Sequence, residues 1–113
     1  MITAAPRWDL DGRVDGEPCR LLVNRRWLPI DEAAEGMKPR FLKGFEGKGL
    51  MIRGEAPPPT LGTKVRVWFA HPLDDSQGVT FDVFVTASTV THRERSFEWK
   101  TYGPPVDVGN VVG

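Results

Sequence analysis

The feature that most constrains this chain is an alternation. In the run TKVRVWFA, Val65, Val67 and Phe69 alternate with Lys64, Arg66 and Trp68. In VTFDVFVT, Val79, Phe81, Val83 and Val85 alternate with Thr80, Asp82, Phe84 and Thr86. A strand sends successive side chains to opposite faces, so period two means one buried face and one wet face. HPLDDSQG, between the two runs, is rich in turn formers. The expectation is a pair of adjacent antiparallel strands with Val65, Val67, Phe69, Phe81, Val83 and Val85 on one buried face. SFEWKTY repeats the pattern, with Phe97, Trp99 and Thr101 opposite Glu98, Lys100 and Tyr102. The run 79–91 is long for one strand, which predicts a bend near Ala87-Ser88.

Punctuation supports a β-rich fold. Ten Pro and twelve Gly are spread over 113 residues instead of gathering in one tract, as in a chain of short elements joined by turns. GEAPPPTLG cannot be helix or central strand, because three successive prolines remove three donors. CRLLV reads as a short strand. WDLDGRVDGE contains two Asp-Gly pairs, and Asp11-Gly12, between Leu10 and Val14, suits a tight hairpin. Its acidic spacing departs from a calcium loop: counting from Asp9, the fifth and sixth positions are Arg13 and Val14. Asp31 is a helix N-cap candidate, with Gly36 and Pro39 limiting that helix to about two turns. Beyond Pro39, RFLKGFEGKGLMIR reads as two short apolar runs around a glycine-rich link. Linkers this short exclude crossover helices and favour antiparallel pairing. The fold class expected is mainly β: a small antiparallel barrel or strongly twisted sheet of about five to seven strands with one short helix. The organisation expected is an N-terminal arm or hairpin 1–18, a β-barrel domain 19–102 and a C-terminal arm 103–113. The arms carry the apolar anchors Ile2, Trp8, Val106, Val108, Val111 and Val112, expected to pack outside the main barrel.

Charge and cysteine usage narrow the chemistry. Fifteen basic and fifteen acidic side chains cancel, which disfavours a dedicated non-specific nucleic-acid binder. The charge is uneven: 38–53 holds five cations against Glu46, and 9–17 holds four acids against Arg13. A lone Cys19 forms no intrachain disulfide. Neither Cys19, His71 nor His92 lies in a nucleophile elbow, a Walker loop or a zinc spacing, so no catalytic, cofactor or metal residue is expected. The start MITAAPRWDLDG lacks the basic and apolar regions of a signal peptide, and no stretch is apolar enough to span a bilayer. The expected location is cytoplasmic, or the virion if the chain is phage-encoded.

Binding is the remaining reading. Backbone amides of a glycine-rich turn can form an anion nest, with Arg25, Arg26, Lys43 and Lys48 supplying charge; the competing reading is a tight hairpin with solvated lysines. Trp68 shares a strand face with Lys64 and Arg66, and a Trp beside Arg is typical of an interaction hot spot. With Trp8, these make six candidate interaction residues: Arg25, Arg26, Lys43, Lys48, Trp68 and Trp8.

Residues 44–70 resemble a PilZ domain, a small β-barrel that in many bacteria binds cyclic di-GMP. GFEGKGLMI takes the place of that family's Asp-x-Ser-x-x-Gly segment, matching at Gly49 and the apolar Leu50, Met51 and Ile52. PPPTLGTKVRVWF resembles its Pro–Leu–Gly link into a long strand. Gly44 and Glu46 stand where Asp or Asn and Ser are expected, and the spaced Arg pair is missing. The resemblance therefore implies a degenerate member that does not bind the nucleotide and acts as a protein-interaction module. The function expected is a non-enzymatic β-barrel interaction module with a protein partner or neighbouring subunits. The alternatives are a structural subunit of a large particle, such as a phage head or tail component, and a small nucleic-acid-binding protein. A small-molecule ligand is not expected.

Overall fold

The computed structural model describes residues 7–46 and 48–107, with the side chains of Arg7, Arg93 and Asp107 left aside. Within the described residues, eight strands and one helix follow one another as β1 (Arg7–Val14), β2 (Glu17–Asn24), α1 (Ala34–Phe45), β3 (Leu50–Gly54), β4 (Lys64–His71), β5 (Asp74–Phe84), β6 (Ala87–Arg93), β7 (Ser96–Tyr102) and β8 (Pro105–Asp107), with a 3-10 turn at Arg25–Trp27. All strands join one antiparallel sheet in the order β6-β7-β3-β2-β1-β4-β5-β8. The mainly β, single-helix expectation holds, with slightly more strands than anticipated.

Only Val85 and Thr86 separate β5 from β6, and only Gly103 and Pro104 separate β7 from β8. Val83 pairs with Pro105 on one side of this break and Ala87 with Tyr102 on the other. These four strands are thus one long bent hairpin whose two halves lie at opposite ends of the sheet order, so the sheet curls into a barrel-like shape. At the bend the Thr86 amide donates to the Tyr102 carbonyl at 2.9 Å, and the Thr86 hydroxyl donates to the same oxygen. Gly103 is pressed on the Phe84 carbonyl, where a Cβ would meet the oxygen at 1.7 Å. The bend falls one or two residues earlier than the alternation alone implied.

All six residues assigned to the core by period two are buried, at 2% exposure or less. β4 and β5 pair in the matching register, Val65 with Val83 and Val67 with Phe81. The inner face of the sheet is covered by α1, which is longer than expected and begins later. Met37, Phe41 and Phe45 recur every four residues and are fully buried. Phe41 lies 4.8 Å from Phe69 and 5.3 Å from Phe81, ring centre to ring centre. Pro39 sits inside the helix, depriving the Glu35 carbonyl of its usual i+4 donor, but burial of this aromatic face offsets that loss. Asp31 does not cap α1. Its Ala34 amide instead donates to Gln77 Oε1 of β5 at 3.0 Å, so the cap comes from tertiary structure. The apolar run at 41–45 is therefore the second half of a helix, not a strand flank.

The N-terminal region also differs from expectation. Asp11-Gly12 lies within β1, and the hairpin is made by the second pair, Asp15-Gly16, both with positive φ (50° and 83°), as a two-residue turn of this kind requires. Gly12 serves close approach, since a Cβ there would lie 2.6 Å from the Trp68 carbonyl oxygen. Residues 7–14 are not an outlying arm: β1 lies between β2 and β4, with Leu10 in the core. Trp8 belongs to β1 and Val106 to β8, while Ile2, Val108, Val111 and Val112 fall outside the described residues. HPLDDSQG contracts to the two-residue turn Pro72-Leu73, with a register shift between Ala70 and His71.

The contact of Phe81 with both helix phenylalanines makes it the most informative core position. Phe81→Ala is expected to cost about 3–5 kcal/mol of unfolding free energy, measured by urea titration. A loss below about 1 kcal/mol would place Phe81 outside the cooperative core.

Candidate functional site

The chain leaves β2 through the 3-10 turn. Asn24 Oδ1 accepts from the Arg26 amide at 2.9 Å, and the Leu28 amide donates to the Arg25 carbonyl at 3.0 Å. This turn exposes Arg25 and Arg26 and drives Trp27 inward. Trp27 lies edge-on to Phe41 at 6.2 Å and covers Gly44, where a Cβ would stand 2.3 Å from its Cδ1. Gly44 is therefore a packing glycine, and it seats the 3-10 turn on α1. That joint brings Arg25 and Arg26 to the element that exposes Arg40 and Lys43, with Lys48 exposed just beyond its end. Arg25 stacks over Trp8 at 4.4 Å. Five of the six candidate residues are thus carried by the 3-10 turn, by α1 and its C-terminal flank, and by the start of β1.

The glycine-rich segment does not form an anion nest. It is the C-terminal end of a helix, where carbonyl oxygens and the negative end of the dipole face outward. The Glu46 amide donates to the Leu42 carbonyl and the Lys48 amide to the Phe45 carbonyl, each at 3.0 Å. The competing hairpin reading fails too, because the segment joins a helix to β3. Lys38 is buried, and Arg53 is held by Glu98 through Nε and Nη2, both at 3.1 Å. Around the Trp27–Gly44 joint, that leaves Arg25, Arg26, Arg40, Lys43 and Lys48 exposed. Among the described residues none of these five is in an ion pair.

Trp68 lies elsewhere. It stands on the outer face of β4, half-buried, with Arg13 across from it at 5.9 Å. It covers Gly78, where a Cβ would come within 2.0 Å of its Nε1. Lys64 and Arg66 share that face, but both converge on Asp82, at 3.7 and 3.0 Å. The Asp82 side chain is 5% exposed, and its hydrogen bond and charge hold the Arg66 guanidinium above its ordinary pKa. Sequence reasoning missed this neutralisation. Its trace was an acid on the polar face of VTFDVF, directly across from Arg66.

Several titratable groups are engaged in structure. His71 Nε2 donates to the Glu32 carbonyl at 2.8 Å and Nδ1 accepts the Leu73 amide at 3.0 Å; these partners assign the tautomer. Asp74 accepts from Ser76 and Gln77, which holds its carboxyl below the usual range. Asp9 and Asp11 share Arg20, at 3.9 and 2.9 Å, so the acidic segment is partly neutralised. Cys19 lines a mostly apolar cavity of about 240 Å³ with Val14, Ile52, Trp99, Pro57 and Pro59 under the triproline loop. Burial pushes its thiol up to about 11. Among the described residues no group of three or more His, Cys, Asp or Glu is placed to hold a metal ion, and no helix is long and apolar enough to cross a membrane.

Comparison with known proteins returned no family model, no curated protein and no solved structure similar to this chain.

The Cys19 environment has a defined pH consequence. Its folded pKa is raised from an ordinary 9.0 to about 11, so folding favours the protonated thiol. The stability this contributes is fully present below pH 9 and is lost as pH climbs toward 11. Thiol labelling at pH 8 is expected to run much slower in native than in urea-unfolded protein. Equal rates would show that the thiol is not shielded.

Proposed function

We propose that this chain is a non-enzymatic protein-interaction module that engages an acidic segment of a partner protein through the rim bearing Arg25, Arg26, Lys43 and Lys48. The observation that carries this reading is the Trp27–Gly44 joint, which gathers exposed cations with no ion pair among the described residues on two packed elements, while Arg20, Arg53, Lys64 and Arg66 of the sheet pair with acids. Unpaired surface cations over a rigid aromatic base suit electrostatic steering of an acidic partner.

Three features support protein over nucleic acid. The chain carries no net charge. Binding to single strands depends on open aromatic faces that stack with bases, and Trp8 already carries Arg25, Trp27 lies against Phe41 and Gly44, and Trp99 is buried. The cationic set is also small. The non-enzymatic part rests on the engaged state of the groups that would do chemistry: both His71 nitrogens are bonded, Asp74 is tied into its own turn, and the Cys19 thiol is held protonated. The resemblance to a degenerate PilZ domain belongs to the same reading. Gly44 and Glu46 occupy a helix end whose outward carbonyls and carboxylate disfavour a phosphate.

A fluorescent Glu-rich peptide tests this by anisotropy. Binding is expected to weaken steeply with salt and to fall about tenfold or more in the Arg25→Glu/Arg26→Glu/Lys43→Glu variant. Tighter binding of a single-stranded oligonucleotide than of the peptide would overturn the reading in favour of nucleic acid. Calorimetry with cyclic di-GMP is expected to show no affinity at low micromolar or better; such an affinity would restore a nucleotide-sensor function.

A further inference from the structure

The two strands that end the sheet order are built differently. β8 spans three of the described residues, begins at Pro105 and follows Pro104. Shortness and proline are established ways of closing an edge to further pairing. β6 has neither protection. It runs for seven residues, Ala87–Arg93, and among the described residues pairs only with β7. From Ala87 to Thr91 it contains no charge, proline or glycine, and three of those five residues are Thr or Val. Side chains from both of its faces are exposed, with Val90 at 46%.

The hairpin sets which backbone groups are open. Arg93 pairs with Ser96 across a two-residue turn. In such a hairpin the residues flanking the turn exchange both hydrogen bonds, and alternate residues then point away. Arg93, Thr91 and Thr89 therefore face β7, while Ser88, Val90 and His92 direct their amides and carbonyls outward. A row of outward groups on an uncharged, β-branched strand is a template for one more strand.

We propose that β6 pairs with β6 of a second copy of this chain, antiparallel and centred on Val90. The argument for a second copy is the match of the strand to itself. Val90 is the midpoint of Ala87–Arg93, so a two-fold axis there pairs the strand over its whole length. Val90 then meets Val90 of the second copy, Thr89 meets Thr91, Ser88 meets His92 and Ala87 meets Arg93. No like charges face one another, and β-branched residues oppose β-branched residues, which favours a pair. Val90 lies beside Trp99 and His92 beside Phe97 across β7, so the added strand extends a partly apolar face already present on the hairpin. Because Ser88, Val90 and His92 all direct bonds outward, this register satisfies about six backbone hydrogen bonds between the copies. A C2 contact of this kind is closed and does not propagate into a fibre. The pairing is independent of what the cationic rim binds.

The test is size-exclusion chromatography with light scattering on the full chain, diluted from high to low micromolar concentration. A concentration-dependent dimer is expected. Val90→Lys and Val90→Glu each place like charges directly opposite one another and are expected to weaken the dimer about tenfold or more. An equimolar mixture of the two is expected to recover a heterodimer, which a misfolded variant would not do. A wild-type chain that stays monomeric throughout overturns the proposal, whether or not β6 pairs with strands of other proteins. A dimer insensitive to both substitutions, or a mixture that fails to recover, also overturns it.

Discussion

The contact on which the rest of the structure depends is that of Phe41 and Phe45 with Phe69 and Phe81. The curled sheet presents an inner apolar face from which water must be excluded. Helix α1 supplies the filling. Phe41 meets Phe69 edge-on and sits tilted against Phe81, and Phe45 meets Phe81 at 5.7 Å. Edge-on and tilted rings at such separations add to the area they bury. The helix bears a proline in its interior and has no side-chain cap of its own. It is held by what it packs on, as is usual for short helices in proteins.

That dependence carries over to the surface. The 3-10 turn reaches α1 through Trp27 on Gly44, so the position of Arg25 and Arg26 relative to Lys43 follows from the helix, and the helix follows from the sheet. The outer face obeys a different rule. There Asp82 gathers Lys64 and Arg66, Glu98 holds Arg53, and Asp9 and Asp11 share Arg20. The Arg20 pairs are exposed and contribute little to stability, whereas Asp82 is buried; all of them remove net charge from the sheet exterior. Among the described residues, Arg25, Arg26, Arg40, Lys43 and Lys48 near the helix have no such acid, while Arg13 and Lys100 of the sheet stack on Trp68 and Tyr102.

Much of the fold was legible in the sequence because its strands alternate cleanly. Val65, Val67, Phe69, Phe81, Val83 and Val85 took the expected face, and the length of 79–91 signalled a bend. Elsewhere local signals competed with tertiary ones. Pro39 and Gly44 read as breakers, yet Met37, Phe41 and Phe45 have helical spacing, and their burial won. Asp31 has the chemistry of a cap, but Gln77, distant in sequence, provides it. Asp11-Gly12 and Asp15-Gly16 are chemically alike. The choice between them depends on how far β1 pairs with β2, which no window of a few residues contains. Of the candidate site, the identity of the exposed cations was legible. Their grouping was not, because it rests on a glycine chosen for a tryptophan to cover. Trp68 seemed to keep company with free cations only because the buried acid beneath them lies on another strand.

The central claim is that α1 is an integral part of the core and not a lid on a preformed sheet. Native-state hydrogen exchange tests it most directly. Amides in the second half of α1, from Phe41 to Phe45, should open with the same free energy as those of Val67 and Phe81 and respond to denaturant with the same slope, as members of one cooperative unit. Exchange of the helix amides that is orders of magnitude faster, by a denaturant-independent local opening, would contradict the account and detach the cationic rim from the sheet it is said to depend on.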